Sequence, residues 1–385
     1  VLRVQAVVSD FLRKEMSDVV IAAEEQPVYE RGERTVYLDP VDGTLNLHHG
    51  FGEFCISIGY WEGDEAAAGV VLKPSEMAPA SATFLEELIA SCFEAGHVTV
   101  CNGGVAVAEE LLEQRFDFIF FTGSTTVGRV VARKAAVHLT PTVLELGGKC
   151  PCVVDRDVEV AVAARRILAG KLFNAGQTCF APDFVAVHRE VREDLAQALE
   201  SLLMDLPWEE DLAKVVNGKH FERLQALLGG KEIRKGDDDR DRLHVAPRIL
   251  PEARWDDAVM QEEVFGPILP LVEFADGAEL VDRLRTMPSP LALYIFSKDR
   301  DFAEVLMGEV RSGSVCINDV GKQATNLNMP FGGVGASGHG RYRGRAGVES
   351  FSYERGVTTR YFVRDVFEAL PPRAGQLAFL KKWMK

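Results

Sequence analysis

The stretches Leu144-Glu145-Leu146-Gly147-Gly148-Lys149 and Phe173-Asn174-Ala175-Gly176-Gln177-Thr178-Cys179 decide how this sequence folds and which chemistry it can carry. The first is typical of a strand that ends in a glycine turn, which leaves Glu145 beside flexible backbone. The second predicts a tight loop that carries Cys179. A thiolate attacks a carbonyl carbon readily at neutral pH, and a carboxylate can activate water. The pair therefore indicates thiol chemistry, against the alternative of a buried cysteine and a salt-bridged glutamate.

The composition indicates a soluble globular protein. At 385 residues the chain can hold two or three domains, and its 47% hydrophobic and 26% charged residues are ordinary values. A formal charge of −15 argues against a nucleic-acid-binding protein. The sequence has no apolar run long enough to span a bilayer and no signal-peptide pattern. The seven cysteines are irregularly spaced, which predicts free thiols in a reducing compartment, the cytoplasm.

Strand and helix patterns alternate along most of the chain. Apolar residues at helical spacing predict helices over 78–94, 105–112, 124–137 and 158–173. Short apolar runs predict strands over 70–73, 97–101, 116–121 and 142–146. Such alternation predicts parallel sheets covered by helices on both faces. Cys150 and Cys152 have the wrong spacing for a zinc or redox pair and are expected in the core, and the charged segment 235–242 is expected to be a solvated loop.

From about residue 70 to the C-terminus the chain resembles the NAD(P)-dependent aldehyde dehydrogenase superfamily, in particular its class 3 branch. The two stretches quoted above carry the resemblance, with Cys179 placed 34 residues after Glu145. The glycine-rich segment 330–338 and three further motifs follow the family's order: Lys73-Pro74-Ser75-Glu76, Phe121-Thr122-Gly123-Ser124-Thr125-Thr126-Val127-Gly128 and Glu262-Glu263-Val264-Phe265-Gly266-Pro267. The resemblance implies that Cys179 is the nucleophile and that Glu145 activates the water that hydrolyses the thioester.

The same resemblance implies a bound dinucleotide, NAD or NADP. It places Lys73 and Glu76 at the adenosine ribose. Glu263 would hold the nicotinamide ribose, with Phe265 packed nearby. Between these motifs lies a strand–turn–helix whose glycines allow close backbone approach and whose helix N-terminus favours a phosphate; its residues are Gly123, Ser124 and Gly128. The spacing differs from G-x-G-x-x-G, so the dinucleotide would lie differently from the ordinary Rossmann arrangement.

The first 71 or so residues resemble a different family, the magnesium-dependent inositol monophosphatases. The resemblance rests on Asp39-Pro40-Val41-Asp42-Gly43-Thr44-Leu45-Asn46, on Cys55-Ile56-Ser57-Ile58-Gly59 and on the acidic pair Glu24-Glu25. It implies a vestigial magnesium site, since hard cations prefer carboxylate and carbonyl oxygens; the ligands would be Glu24, Asp39, Val41 and Asp42. The alternative is an ordinary turn, because these residue types favour turns.

The two resemblances predict a mosaic α/β fold. It would have a Rossmann-type cofactor domain and an α/β catalytic domain of the aldehyde dehydrogenase kind, with a phosphatase-like α+β fragment replacing the N-terminal part. The predicted divisions are a phosphatase-like fragment over 1–71, a truncated dinucleotide-binding domain over 72–145, a thiol domain over 146–325, and a segment over 326–385 that returns to the cofactor and oligomerisation region.

The replaced part matters for activity. In the family it supplies an oxyanion-hole asparagine, whose position falls on Gly50 here, part of the substrate tunnel and a hairpin of the dimer. We therefore expect impaired oxidation of a small-molecule aldehyde and a weakened homodimer, with no nucleic-acid partner and no membrane span.

Three functions remain open from the sequence. The first is NAD(P)-dependent oxidation of an aldehyde to a carboxylic acid, through a thiohemiacetal and a thioester on Cys179. The second is a magnesium-dependent phosphomonoesterase. The third is an inactive fusion or gene-model product, or a remnant that only binds nucleotide. The dehydrogenase motifs are nearly complete and the phosphatase motifs about half present, which favours the first function.

Overall fold

The computed structural model describes residues 69–93 and 96–359 in full, the backbone of four strands before them, and residues 378, 381 and 382 near the end. The chain divides into two compact units, Val1–Phe351 and Ser352–Lys385. In the second unit, residues 352–359 belong to neither a helix nor a strand. Several predicted residues lie outside the described ones, namely Glu24, Asp39, Val41, Asp42 and Gly50.

A four-stranded sheet precedes the fully described part of the chain. Its strands are β1 (Val20–Ala23), β2 (Arg34–Leu38), β3 (Ile58–Glu62) and β4 (Glu65–Ala66). β1 and β2 are parallel, whereas β3 is antiparallel to both β2 and β4. Between β3 and β4, Glu62 is paired with Glu65.

The next part of the chain alternates between strands and helices, as the sequence predicts. Its elements are β5 (Val70–Leu72), α1 (Pro79–Cys92), β6 (Val98–Val100), α2 (Val105–Leu112), β7 (Ile119–Gly123), α3 (Thr125–Val137) and β8 (Thr142–Leu146). β5 pairs with β6, and β7 with β8, both in parallel. A short strand from much later in the chain, β16 (Gly338–His339), pairs with β8 in antiparallel sense. The glycine-rich segment therefore ends against the strand that carries Glu145.

A seven-stranded sheet forms the centre of the remaining part. Its strands are β9 (Pro151–Val154), β10 (Phe184–His188), β11 (Ile233–Arg234), β12 (Arg248–Leu250), β13 (Ile268–Phe274), β14 (Ala292–Phe296) and β15 (Ser314–Ile317). Their order across the sheet is β11-β12-β13-β10-β9-β14-β15. All neighbours are parallel except β11 and β12. The central strands are buried along their length, as expected for a sheet covered on both faces.

Helices follow these strands and cover the sheet. They are α4 (Val160–Leu172), α5 (Arg192–Asp205), α6 (Trp208–Asp211), α7 (Gly218–Ala226), α8 (Gly277–Thr286), α9 (Arg300–Glu309), α10 (Lys322–Thr325) and α11 (Gly344–Ser350). Successive side chains of β9 alternate between two apolar cores. Cys152 and Val154 pack with residues of α4 and α5, whereas Val153 packs with residues of α8 and α9. Cys150 and Cys152 are fully buried, as predicted.

The prediction for the charged segment 235–242 is wrong in one respect. Its Asp238 is not solvated, because the carboxylate contacts the guanidinium of Arg248, whose side chain is 1% exposed. Glu232 provides a second carboxylate to the same guanidinium at 3.1 Å. A buried guanidinium needs charged partners to offset its lost hydration. Asp238 is therefore a structural support of β12.

Two expectations from composition can be compared with the described residues. The six cysteines among them are free thiols, namely Cys92, Cys101, Cys150, Cys152, Cys179 and Cys316. Within the described ranges, no helix has both the length and the apolar character that crossing a membrane requires.

Candidate active site

Glu145 lies near the end of β8, between two neighbouring strands. Thr122 of β7 is paired with it on one side and Gly338 of β16 on the other. The residue is 2% exposed, and Oε1 has no hydrogen-bond partner among the described residues. Burial raises its pKa to about 7, although hydrogen bonds from Cys179 and Thr122 and the charge of Arg343 oppose the rise. The carboxyl therefore exchanges a proton near neutral pH, which suits a general base.

The glycine-rich segment braces this carboxyl from the far end of the chain. Leu146 N donates to Ser337 O at 3.1 Å, which holds the end of β8. Thr125 Oγ1 donates to Ala336 O at 2.9 Å, which holds the start of α3. The segment therefore fixes two elements of the site without contributing a reactive group.

The loop before Cys179 has an unusual backbone. Asn174, Ala175 and Gly176 have positive φ angles of 50°, 53° and 75°. A Cβ on Gly176 would lie 2.2 Å from Gly266 O, so only glycine fits at that position. Non-glycine residues adopt this region only where the surrounding structure holds them there. The loop therefore gives the thiol a fixed direction.

Hydrogen bonds from outside the loop hold it in place. Gln177 Oε1 accepts from Val216 N at 2.9 Å, and Gln177 Nε2 donates to Lys214 O at 3.0 Å. Cys150 Sγ donates to Cys179 O at 3.5 Å. Gln177 thus anchors the loop through its side chain, whose hydrogen bonds are made to Lys214 and Val216.

Cys179 lies close to Glu145. The thiol is partly buried, and each of the two groups shifts the pKa of the other. Burial, and then the nearby Glu145 carboxylate, raise the pKa of the Cys179 thiol well above its ordinary value. The resting sulfur is therefore a thiol, and Glu145 is placed to take its proton. The structure brings together the two residues that the sequence motifs paired.

Tyr342 and Arg343 join the site although the sequence motifs did not indicate them. The guanidinium of Arg343 lies 4.4 Å from the ring centroid of Phe331 and 5.6 Å from that of Tyr342. Its charge lowers the pKa of Glu145 and so favours the ionised base. The available signal was the run Gly340-Arg341-Tyr342-Arg343-Gly344-Arg345, but a basic run by itself indicates only a solvated surface.

An ion pair between Lys149 and Asp183 fixes the segment that carries Glu263. Lys149 Nζ contacts the Asp183 carboxylate and donates to two backbone carbonyls of this segment at 2.8 and 2.9 Å. Asp183 Oδ1 accepts from Val264 N at 2.7 Å. Lys149 also closes the motif that contains Glu145. One motif therefore positions both the candidate base and the predicted cofactor carboxylate.

Glu263 lies against the glycine turn that follows Glu145. A Cβ on Gly147 would lie 2.2 Å from Glu263 Oε2, so glycine allows the carboxyl to approach the turn this closely. Burial, and then the charge of Asp183, raise the pKa of Glu263 to about 8, although the Gly148 N–H opposes the rise by hydrogen bonding. Near neutral pH, the charge of the Glu263 carboxyl therefore depends on the groups around it.

Of four other predicted cofactor residues, three lie just after strands and the fourth, Gly128, lies inside a helix. Lys73 Nζ is 3.4 Å from Glu76 Oε2, just beyond β5. Ser124 caps α3, because its Oγ accepts a backbone N–H three residues on at 3.3 Å. Gly128 is buried inside α3, where a Cβ would lie 2.6 Å from Leu146 Cδ2. Gly128 therefore lets the helix pack closely on β8, and its contact with a cofactor stays a prediction.

The last two predicted cofactor residues are Gly123 and Phe265. Gly123 is the final residue of β7. Phe265 has a φ of 49°, and its carbonyl oxygen lies 2.7 Å from His220 Nε2. The two aromatic rings pack at 6.1 Å between centroids. The strained turn at Phe265 is thus held by a histidine that the sequence motifs did not indicate.

The profile of the aldehyde dehydrogenase family matches residues 65–357, which is more than half of the chain. The chain belongs to the aldehyde dehydrogenase family. This match covers both sequence stretches that carry Glu145 and Cys179 and every predicted cofactor residue.

Relatives of known sequence and structure agree with this assignment. The chain is 40% identical over 328 residues to aldehyde dehydrogenase family 3 member H1 of Arabidopsis thaliana, covering 82% of this chain and 68% of that protein. The substrate-bound structure of Staphylococcus aureus AldH matches with a TM-score of 0.78 and 33% identity, covering 95% of this chain and 76% of that one. PnpE in complex with nicotinamide adenine dinucleotide matches with a TM-score of 0.67 and 27% identity, covering 74% and 62%. These similarities support an NAD(P)-dependent aldehyde dehydrogenase, as the motifs predict.

The resemblance of the N-terminal region to the inositol monophosphatase family is also confirmed. The profile of the inositol monophosphatase family matches residues 2–115, so it extends beyond residue 71 and overlaps the start of the aldehyde dehydrogenase match. In the described ranges, no group of His, Cys, Asp or Glu side chains could hold a metal ion. The predicted magnesium ligands lie outside those ranges.

The residues of this aldehyde dehydrogenase fit a dinucleotide. Lys73, Glu76 and Glu263 supply a cation and carboxylates, which suit ribose hydroxyls. The N-terminus of α3 suits a phosphate, and it follows the carboxyl end of a parallel strand. Glu145 Oε1 and Lys171 Nζ are buried without partners among the described residues, so the interior of the site is polar and incompletely paired.

Proposed function

We propose that this chain oxidises a small aldehyde to a carboxylic acid through a covalent intermediate on Cys179, with NAD or NADP as cofactor. The observation that carries the proposal is the closeness of a protonated thiol to a buried carboxyl whose pKa is about 7. A thiol needs an adjacent base to become nucleophilic. A carboxyl that titrates near neutral pH can take that proton and release it again.

Glu145 acts first on the thiol. It removes the proton from Cys179 Sγ, and the sulfur attacks the carbonyl carbon of the aldehyde to form a thiohemiacetal. When bound, the nicotinamide of NAD(P) supplies the acceptor for the hydride that this carbon must lose. The residues predicted to hold NAD(P) are Lys73, Glu76, Gly123, Ser124, Gly128, Glu263 and Phe265.

Glu145 acts again on water. After it has released the thiol proton to solvent, it takes a proton from a water molecule whose oxygen attacks the thioester carbon. The carbon–sulfur bond breaks, the carboxylic acid leaves, and Cys179 regains a proton. Arg343 favours the ionised form of Glu145 in both steps, because its charge lowers the pKa of that carboxyl.

We also propose that turnover is low. Gly50 offers no amide to stabilise the tetrahedral oxyanion, and losing one such donor costs about 10²–10³ in rate. The replaced N-terminal part would also weaken the homodimer. The monophosphatase profile match favours a magnesium-dependent phosphomonoesterase as the second candidate function.

One experiment compares the two functions. The first assay measures the formation of reduced cofactor from NAD and from NADP, with a medium-chain and an aromatic aldehyde as substrates. The second assay measures phosphate release from a phosphomonoester in the presence of magnesium. We expect slow aldehyde oxidation, well below a typical enzyme rate of about 10 s⁻¹, and no phosphate release. Phosphate release without aldehyde oxidation would favour the phosphomonoesterase over the aldehyde dehydrogenase. Aldehyde turnover near the typical rate would contradict the proposed impairment.

A further inference from the structure

The turn over residues 263–265 carries two of the predicted cofactor residues. In the described part of the chain, no backbone N–H donates to the carbonyl oxygens of Glu263, Val264 or Phe265. Phe265 also has a φ of 49°, in the left-handed region that a bulky side chain rarely adopts. A strained residue keeps such a conformation only where its surroundings enforce it. Side chains must therefore hold this turn in its shape.

Two side chains of α7 bind these three carbonyl oxygens. Arg223 Nη1 donates to Glu263 O at 3.0 Å, and Arg223 Nη2 donates to Val264 O. His220 Nε2 lies 2.7 Å from Phe265 O. One turn of a single helix thus supplies partners for three consecutive carbonyl oxygens.

Arg223 and His220 also orient each other. They are three residues apart on α7, so their side chains lie on the same face of the helix. Arg223 Nε donates to His220 Nδ1 at 3.4 Å, which leaves the proton of the neutral ring on Nε2. Burial lowers the pKa of His220, which favours this neutral form. Nε2 is therefore the nitrogen that donates to Phe265 O.

The residues just before α7 hold the loop of the nucleophile. The side chain of Gln177 is hydrogen-bonded to Lys214 O and to Val216 N. The segment 214–223 therefore contacts both the loop that leads to Cys179 and the predicted cofactor turn. These are two separate sets of hydrogen bonds, so the cofactor turn can be released without releasing the loop of the thiol.

We propose that Arg223 is a positioning residue for the cofactor: its guanidinium, together with the His220 ring, fixes the turn that presents Glu263 to NAD(P). This inference rests on the proposed function, which places NAD(P) at this turn. A guanidinium presents its donors in a rigid planar fork and binds two neighbouring carbonyls at once, whereas an ammonium is a point charge. Without the fork, the cofactor must order the turn as it binds, and this ordering costs affinity.

The test compares NAD binding with the reactivity of the thiol. Calorimetry gives the dissociation constant of NAD. Acylation of Cys179 by p-nitrophenyl acetate, an activated ester, needs no cofactor and reports on the thiol alone. We expect Arg223→Met to weaken NAD binding about tenfold, because charge-assisted hydrogen bonds to two carbonyls are lost. Its acylation rate should stay within about twofold of the wild-type rate, because Gln177 still anchors the loop.

Three further variants sharpen this comparison. Arg223→Lys should lose most of the same affinity, because one ammonium does not replace the fork, and it decides the test if Arg223→Met does not fold. In the Glu263→Ala background, Arg223→Met should weaken NAD binding by less than about threefold, because the contact that it positions is already gone. The matched control is Arg240→Met, which removes an exposed arginine paired with Glu222 of the same helix at 2.9 Å. This control should bind NAD like the wild type.

The other outcomes contradict the inference in distinct ways. If Arg223→Met lowers NAD affinity and the acylation rate together, the arginine supports the site as a whole. If Arg223→Lys binds NAD like the wild type, a positive charge is sufficient and the fork is not needed. An effect of full size in the Glu263→Ala background would show that Arg223 does not act through Glu263. If the wild type binds NAD and Arg223→Met binds it equally well, the inference fails while the proposed function stands. If the folded wild type binds neither NAD nor NADP, both are contradicted.

Discussion

Replacing Cys179 with alanine is expected to abolish covalent chemistry, with a loss on the order of 10⁴-fold or more in acyl transfer. An activated ester such as p-nitrophenyl acetate acylates a thiol directly and requires no hydride acceptor. It therefore tests the nucleophile separately from cofactor binding. Intact-protein mass spectrometry should show one acetyl group on the wild type and none on Cys179→Ala at the same time point.

The other cysteines provide the controls for this experiment. Cys92 is exposed and Cys316 is partly exposed, so a general alkylating reagent would reach both of them. Among the described residues, neither thiol hydrogen-bonds to a carboxyl. Cys92→Ala and Cys316→Ala should therefore be acetylated like the wild type. Acetylation of Cys179→Ala at the wild-type rate would show that Cys179 is not the nucleophile.

Replacing Glu145 with glutamine is expected to trap the acyl-enzyme. Glutamine has nearly the same size but cannot take a proton, and general-base assistance is worth about 10²–10⁴ in rate. The acetyl group on Cys179 should therefore be hydrolysed slower by about that factor. Acylation should slow as well, because glutamine cannot take the thiol proton. Single-turnover measurements separate the two steps.

The pH dependence makes this test specific. In the wild type, hydrolysis of the acyl-enzyme should rise as the pH increases through about 7, where Glu145 becomes ionised, and then level off. Glu145→Gln should lack this inflection. The matched control is Glu113→Gln, which changes an exposed glutamate that contacts Lys134. An unchanged inflection in Glu145→Gln would show that another group is the base.

The local pattern of the sequence predicts many of these elements well. The helix predicted over 105–112 has the same bounds in the structure, and the strand predicted over 142–146 does too. Both follow from the periodicity of apolar residues, which is a local property of the chain. By contrast, β9 is a short strand that begins with a proline, and no sequence period marks it. β9 is buried because it lies between two other strands of the sheet, and this position is not a local property of the sequence.

The site is only partly predictable for the same reason. Glu145 and Cys179 lie in motifs whose residue types indicate their chemistry. Arg343 and Lys171 do not, because only contacts between distant segments place them. In the sequence Lys171 is one charged residue in a helix, and only the packing of α4 buries it. Local patterns do not report such burial.

The burial of Glu145 also affects how the protein unfolds. In an unfolded chain its carboxyl titrates near 4.5, whereas in the folded protein the pKa is about 7. A pKa raised by folding means that the stabilisation of the neutral form is fully present below about pH 4.5 and is lost as the pH rises through 7. Above that pH the ionised group costs the folded state about 3 kcal/mol. The working form of the base is therefore the less stable form of the protein, and urea should unfold the wild type at pH 8 more easily than Glu145→Gln.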